Sequence, residues 1–305
     1  MNKKIAITTT TFAEYSSGPL EMLKRNDFEI VKNEFKRVLS KDEILALCAG
    51  CAGIIAGTEE YGPDTLKGLK DLKAISRVGG GLDSIDMKAA DKLGIKVVNT
   101  PLGPVNAVSE LTVGLILNLL RKVSVMDKNI RAGKWKKNMG NLLQGKRIGI
   151  IGYGRIGRKV DKLLTALGCE TAFCDPAIKD MTTQSTPMRL ADLLEWADIV
   201  TLHVSGKEEI IGERELKRMK KGAWLINVSR GGTVNEDALY HSLKNGHLSG
   251  AAIDVFIKEP YEGVLKELDN VILTPHIGSY AVESRIEMEM DAVKNMIKIL
   301  NEVDR

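Results

Sequence analysis

The sequence predicts an α/β fold in two domains, and three observations carry that expectation. Short apolar runs alternate with amphipathic stretches almost throughout, the rhythm of βα units feeding parallel sheets. The 305 residues exceed the length at which a single hydrophobic core stops growing, so about two domains are expected. The strand candidates also fall into two series, separated by one long helical pattern.

The first series reads Ile5–Thr8, Phe28–Val31, Gly53–Ala56, Ala74–Arg77 and Lys96–Asn99. Each is a short apolar run, and helical patterns lie between most of them, notably Lys41–Cys48 and Met87–Leu93. Ala107–Lys122 follows, apolar at Val108, Leu111, Leu115 and Leu119; this spacing predicts one amphipathic helix that crosses between domains. The second series is Arg147–Ile151, Glu170–Cys174, Ile199–His203, Trp224–Val228, Ala251–Val255 and Val271–Leu273. Six such strands are what a dinucleotide-binding sheet requires. Val282–Val303 closes the chain with helical periodicity through Ile286, Met290, Val293 and Ile297, its methionines reading as core filler. The expected architecture is therefore two Rossmann-like domains: a lid of flavodoxin-like type from 1–99 with 282–305, and a doubly wound parallel-sheet nucleotide domain over 100–281.

Composition narrows the function classes. The 44 basic and 40 acidic residues, net +4, are mixed along the chain with no basic block, which disfavours nucleic acid. No segment approaches the roughly 18 consecutive apolar residues of a membrane span. Lys3-Lys4 runs into an apolar stretch too short for a signal peptide, and four cysteines suit a reducing compartment, so a cytoplasmic location is expected. Cys48 and Cys51 form a C-x-x-C at the end of a helical pattern, where they read as small core residues. No metal site is expected, since no second cysteine pair exists and His203, His241 and His247 lack ligand spacing. His241 and His247 read as surface residues, and His203 ends a strand where it could meet a cofactor.

Gly152-Tyr153-Gly154-Arg155-Ile156-Gly157 follows the apolar run Ile148–Ile151 and opens a helix with Ile156, Val160, Leu163 and Leu164 on its apolar face. This strand-turn-helix context turns a weak motif into a dinucleotide fingerprint. Gly152 permits the tight turn, Gly154 lets backbone approach the pyrophosphate, and Gly157 allows close packing of helix on sheet. Asp175 ends the next strand, where a carboxylate accepts hydrogen bonds from ribose hydroxyls and repels a 2′-phosphate; no arginine follows in Pro176-Ala177-Ile178, so NAD is expected over NADP. Arg155 and Ile156 in the motif, with Val228 and Ser229 after their strand, complete the expected cofactor set.

Asp254 ends a predicted strand, and Arg230, Glu259 and His276 follow predicted strands, at the edge that faces the ligand crevice in an open α/β sheet. Singly, each has a plain structural reading. Together they suit reduction of a 2-oxo acid, which needs a cation to hold the carboxylate and polarise the carbonyl, and an acid to protonate the nascent alkoxide. A guanidinium meets the first need and an imidazole the second, with a glutamate stabilising the imidazolium.

These residues, with Arg77-Val78-Gly79-Gly80-Gly81-Leu82-Asp83, Asn99-Thr100-Pro101 and Ser109-Glu110-Leu111-Thr112, resemble the D-isomer-specific 2-hydroxyacid dehydrogenase family, especially its D-3-phosphoglycerate dehydrogenase branch. The resemblance runs from the first strand to Tyr280. It implies that Arg230 binds and polarises substrate, His276 is the acid/base, Glu259 pairs with it, and Asp254 holds the nicotinamide carboxamide. It also implies that backbone around Gly79 and Gly80 grips the substrate carboxylate, that the chain forms a homodimer through Ala107–Lys122, and that the partner is a small 2-oxo or 2-hydroxy acid, with no metal.

Three departures accompany it. Ser205-Gly206-Lys207 stands where the family usually has Pro-Leu-Thr after the histidine. Gly57, within Gly57-Thr58-Glu59-Glu60, stands where the phosphoglycerate branch commonly carries an arginine, and inward-facing glutamates would oppose a phosphate. The expectation is therefore a non-phosphorylated acid, with phosphohydroxypyruvate as alternative and Arg77 or the Gly57-Thr58 amides as substitute anchors. The short stretch after His276 further predicts no C-terminal regulatory domain. Two other readings share the architecture: a dinucleotide-sensing binding protein of corepressor type, and an NAD-dependent formate dehydrogenase.

Overall fold

The computed structural model describes residues 3–178 and 185–303, folded as two compact units, Met1–Pro104 with Ser279–Arg305, and Val105–Gly278. The α/β class with parallel sheets is the one the sequence pattern predicts. The expected boundaries, 99/100 and 281/282, lie a few residues inside the first unit at both junctions.

The first unit holds a five-stranded sheet of β1 (Lys4–Ile7), β2 (Glu29–Lys32), β3 (Gly53–Ala56), β4 (Ala74–Arg77) and β5 (Lys96–Asn99), in the order β2-β1-β3-β4-β5. Every pairing is parallel, so all five carboxyl ends share one edge. Chain order reverses between β1 and β3, and in sheets of this order that switch point is where ligands sit. β3 is buried at every position, as a central strand covered on both faces must be. Cys48 and Cys51 are buried free thiols beside it, Cys48 pushed up to about 12 chiefly by burial, which keeps it in the unreactive protonated form.

The helix Val282–Val303 packs on this same sheet. Its length matches the periodicity, but its inner face is set by Met288, Ala292, Val293, Met296 and Ile299, while Ile286, Met290 and Ile297 are only partly covered. The sequence carries two adjoining apolar stripes, and contact with the sheet selects one of them: Gly53 on β3 leaves the room that Met296 fills.

The second unit holds β6 (Arg147–Ile151), β7 (Glu170–Cys174), β8 (Thr186–Pro187), β9 (Ile199–Leu202), β10 (Trp224–Asn227), β11 (Gly250–Ile253) and β12 (Val271–Leu273). The order is β12-β11-β10-β9-β6-β7-β8, again all parallel. The switch point falls between β6 and β9, the doubly wound arrangement. Seven strands replace the expected six, because β8 is two exposed residues ending in proline and gives no apolar signal. Several strands stop a residue before the sequence pattern suggests, so that His203 and Val228 lie just past β9 and β10.

The long helix spans Pro104–Arg121, beginning earlier than its apolar pattern because proline suits a first helical turn. It ends at Lys122, whose left-handed φ of 54° starts a second helix, Val123–Arg131. None of the described helices is long and apolar enough to cross a membrane.

Candidate active site

In the second unit the fingerprint turn links β6 to the helix Arg155–Ala166. Two of its glycines are required by space: a Cβ on Gly152, which has φ 88°, would lie 2.5 Å from the His203 carbonyl oxygen, and one on Gly157 would overlap the carbonyl oxygen of Gly152. Gly154 is different. It is exposed and nothing lies within 4 Å of its Cβ position, so the open surface sits where a helix N-terminus offers unpaired amides to phosphate. Glycine at 154 is unnecessary for the fold and suits close approach of a pyrophosphate, which is the fit an NAD site demands.

Asp175 lies directly after β7. Its Oδ2 accepts the Tyr153 amide at 2.7 Å and its Oδ1 that of Ala177 at 2.9 Å, which fixes the carboxylate beside the turn with lone pairs left for ribose hydroxyls. Beneath the turn is a network the sequence reading missed. Tyr153 stacks on Phe173, its hydroxyl donates to Asp161, and the Ser185 hydroxyl also donates to Asp161, at 2.6 Å. Asp161 is buried; an acid beside Val160 on the helix's apolar face was the one signal available.

The other strand ends complete the edge. His203, after β9, meets Thr201 Oγ1 at 3.0 Å through Nε2, while its Nδ1 is enclosed without a partner among the described residues. The residue as a whole is partly exposed, yet burial of the ring pushes its pKa down to about 3, so it is neutral at physiological pH. After β10, the Asn227 side chain accepts from the Ser229 amide and hydroxyl and donates to the Arg230 carbonyl. Arg230 Nη1 donates to Ser229 O at 2.8 Å, which bends the half-buried guanidinium along this turn. Val228 and Ser229 are buried.

Asp254, after β11, is fully buried. Its Oδ1 accepts the Thr274 hydroxyl at 2.6 Å and the Ile277 amide at 2.8 Å, and its Oδ2 accepts the Gly278 amide at 2.9 Å. Burial pushes its pKa above the ordinary value, against the opposing pull of these donors and of His276. The turn it closes carries His276, which has a left-handed φ of 55°, a conformation non-glycine residues adopt only when surroundings enforce it. His276 Nδ1 lies 3.0 Å from Glu259 Oε2, and Glu259 is itself oriented by the Phe256 amide on Oε1 at 3.1 Å. Nδ1–H donating to the carboxylate leaves Nε2 to exchange a proton with a ligand. The structure thus brings Glu259 and His276 into direct contact and sets Arg230 and Asp254 on the neighbouring strand ends of the same edge.

In the first unit, Gly79 and Gly80 follow β4. The Gly79 amide donates to Thr100 Oγ1 at 2.7 Å, which makes exposed Gly80 the part of this loop open to a carboxylate. Of the paired glutamates near Gly57, Glu59 is buried and Glu60 is exposed. Among the described residues no group of three or more His, Cys, Asp or Glu side chains is arranged to hold a metal ion.

The chain is similar to known proteins over most of its length. Residues 113–278 match the family model described as D-isomer specific 2-hydroxyacid dehydrogenase, NAD binding domain. The chain is 38% identical over 280 residues to a glyoxylate reductase of Thermofilum pendens, covering 87% of this chain and 80% of the relative. It is 33% identical over 295 residues to a D-3-phosphoglycerate dehydrogenase of Archaeoglobus fulgidus, covering 93% of this chain but 55% of that longer protein; the chain spans about half the length of the phosphoglycerate dehydrogenases it matches. A crystal structure of a Thermus thermophilus protein superposes with a TM-score of 0.91 at 31% identity, covering 98% of this chain and 97% of the other.

Two outcomes follow from the geometry. Gly154→Ala should leave the urea-unfolding midpoint unchanged and weaken NADH binding, whereas Gly157→Ala should lower the midpoint itself; equal behaviour of the two variants contradicts the division of roles. For His203, the folded value near 3 lies below the ordinary 6.5. The stability it contributes is fully present above about pH 6.5 and is lost as pH falls toward 3, by up to about 1.4 kcal/mol per pH unit. Urea titrations at pH 7 and pH 5 should show a smaller loss in His203→Gln than in wild type, and parallel losses would refute the assignment.

Proposed function

Because the chain belongs to the D-isomer specific 2-hydroxyacid dehydrogenase family, we propose that it interconverts a small 2-oxo acid and its D-2-hydroxy acid, using NAD(H). The observation that carries this reading is the His276–Glu259 pair at 3.0 Å on a turn closed by buried Asp254. A nucleotide-sensing protein has no use for an oriented proton donor, and formate oxidation transfers none.

Bound NADH supplies the hydride that reaches C2 of the acid. The chain's residues do the rest. Arg230 holds the substrate carboxylate through its planar fork and draws electron density toward the carbonyl oxygen. As negative charge develops on that oxygen, protonated His276 gives it the Nε2 proton, and Glu259 stabilises the imidazolium before transfer. In the oxidative direction neutral His276 takes the hydroxyl proton back at Nε2. Asp254 positions His276 through the 274–278 turn. Asp175 favours NADH, since a 2′-phosphate would meet its carboxylate. A homodimer belongs to the same reading: Trp135, Met139 and Leu142 are strongly exposed, an apolar surface that a second copy would cover.

The test is kcat/KM for NADH and NADPH across glyoxylate, pyruvate, hydroxypyruvate, phosphohydroxypyruvate and 2-oxoglutarate. NADH should be preferred with at least one acid. Arg230→Ala should lower kcat/KM by about 100-fold or more, and His276→Ala should lower kcat by roughly 10²- to 10⁴-fold and remove one limb of its pH profile. Binding of NADH without turnover of any acid would favour the sensor instead.

A further inference from the structure

Tyr153, the residue between the first two glycines of the fingerprint, is 3% exposed and is held through its ring, its hydroxyl and both of its backbone polar groups. The ring stacks on Phe173 with centroids 3.9 Å apart, and the Arg158 guanidinium lies 5.3 Å from its centre. The Tyr153 carbonyl oxygen accepts Arg158 Nε at 3.1 Å. The hydroxyl donates to Asp161, two helical turns further on, and the amide donates to Asp175 Oδ2 at 2.7 Å. One residue thus connects a buried carboxylate beneath the turn to the carboxylate beside it.

Asp161 is anchored in turn. Its Oδ2 accepts the Ser185 hydroxyl at 2.6 Å and its Oδ1 the Thr165 hydroxyl at 3.3 Å, while the hydroxyls of Ser185 and Thr171 meet at 2.7 Å. Burial, with Asp161 adjacent, pushes the Tyr153 hydroxyl up to about 12, so it remains a donor throughout the physiological range. Taking a carboxylate out of water costs more than burying an apolar pair of similar size, and stability alone gives no reason to place one here. What a satisfied buried network does supply is a single, rigid arrangement of the groups attached to it.

We propose that Tyr153 is a positioning residue for Asp175, and that Asp161, by anchoring the Tyr153 hydroxyl, sets how strongly the site prefers NADH to NADPH. The inference rests on the proposed reading of Asp175 as the residue that meets the adenosine ribose. The Ala177 amide ties the Asp175 carboxylate to its own loop, whereas the Tyr153 amide ties it to the glycine turn. A carboxylate fixed there offers its acceptors to ribose hydroxyls without first losing side-chain freedom. It is also unable to swing away from a 2′-phosphate, so the like charges stay opposed. Loosening Tyr153 therefore acts on the two coenzymes in opposite directions: NADH loses a preformed acceptor, and NADPH loses a repulsion.

Tyr153→Phe tests this, because it keeps the ring on Phe173 and removes the donor to Asp161. The probes are NADH and NADPH, titrated against the full chain by coenzyme fluorescence, with urea-unfolding midpoints measured alongside. Wild type should bind NADH at least ~10-fold more tightly than NADPH, the scale of a like-charge clash. In Tyr153→Phe that ratio of Kd values should fall ~5-fold or more, within what one hydrogen bond to a charged group is worth, with NADH binding weakened and NADPH binding held or improved. In an Asp175→Ala background the same substitution should leave the ratio unchanged, since the two residues act through one contact. Asp161→Asn retains an oxygen for the Tyr153 hydroxyl and should stay closer to wild type than Tyr153→Phe does. A ratio that is unchanged in Tyr153→Phe, or a lower unfolding midpoint with both coenzymes weakened equally, overturns the positioning role and leaves the reading of Asp175 intact. Wild type that binds NADPH as tightly as NADH overturns both.

Discussion

One buried carboxylate holds the candidate site of the second unit together. Asp254 receives a hydroxyl and two backbone amides from the segment 274–278, and it does so from the end of a strand with no exposed surface of its own. Taking a carboxylate out of water is costly unless donors replace the solvent, and a hydrogen bond to a charged group is worth about 1.5–3 kcal/mol once formed. The three donors and the carboxylate therefore specify each other. Their consequence is the left-handed backbone at His276, which a free turn would not adopt and which delivers the ring to Glu259. The exposed His276–Glu259 pair adds little to stability in its own right; its value lies in the orientation of the ring.

The parallel sheets supply the rest of the scaffold. With every strand pairing parallel, each βα connection of both units leaves from the same edge of its sheet. Chemistry-bearing side chains can then be added one loop at a time without disturbing the core. In the second unit the edge carries in turn the glycine turn, Asp175, His203, Arg230, Asp254 and His276. In the first, the loops after β1, β3 and β4 carry Thr9, Glu59, and Gly79 with Gly80. The polar atoms of these loops are mostly satisfied internally, as in the Asn227–Ser229–Arg230 and Tyr153–Asp161–Ser185 groups, and rigid loops of this kind lower the cost of ordering a ligand.

How much of this was legible in the sequence depended on the range of the contact. The strands of the central sheets were legible because buried parallel strands are nearly continuous apolar runs, as Gly53–Ala56 and Arg147–Ile151 show. The fingerprint was legible because its glycines act within a few residues of each other. Thr186–Pro187 was not, having neither length nor apolarity. The inner face of Val282–Val303 was not legible because two stripes are apolar and only the sheet beneath distinguishes them. Residues whose role depends on distant partners gave least warning: Asp161 meets Ser185, Arg285 meets Thr9, and Asp254 closes a turn twenty or more residues away. The sequence placed Asp254 at a strand end, and only the structure connects it to His276.

The claim that Asp254 acts through His276 is tested most directly by a double-mutant cycle in kcat at saturating NADH and oxo acid. Asp254→Asn is the variant to use, since it keeps one oxygen for Thr274 and Ile277 and turns an NH2 group against the Gly278 amide. If the carboxylate serves to hold the His276 turn, Asp254→Asn should lower kcat in the wild-type background, yet cost little further in a protein that already carries His276→Ala. Losses that simply multiply, so that the double variant is slower than His276→Ala by the full Asp254→Asn factor, would contradict the account and assign Asp254 a role independent of the histidine.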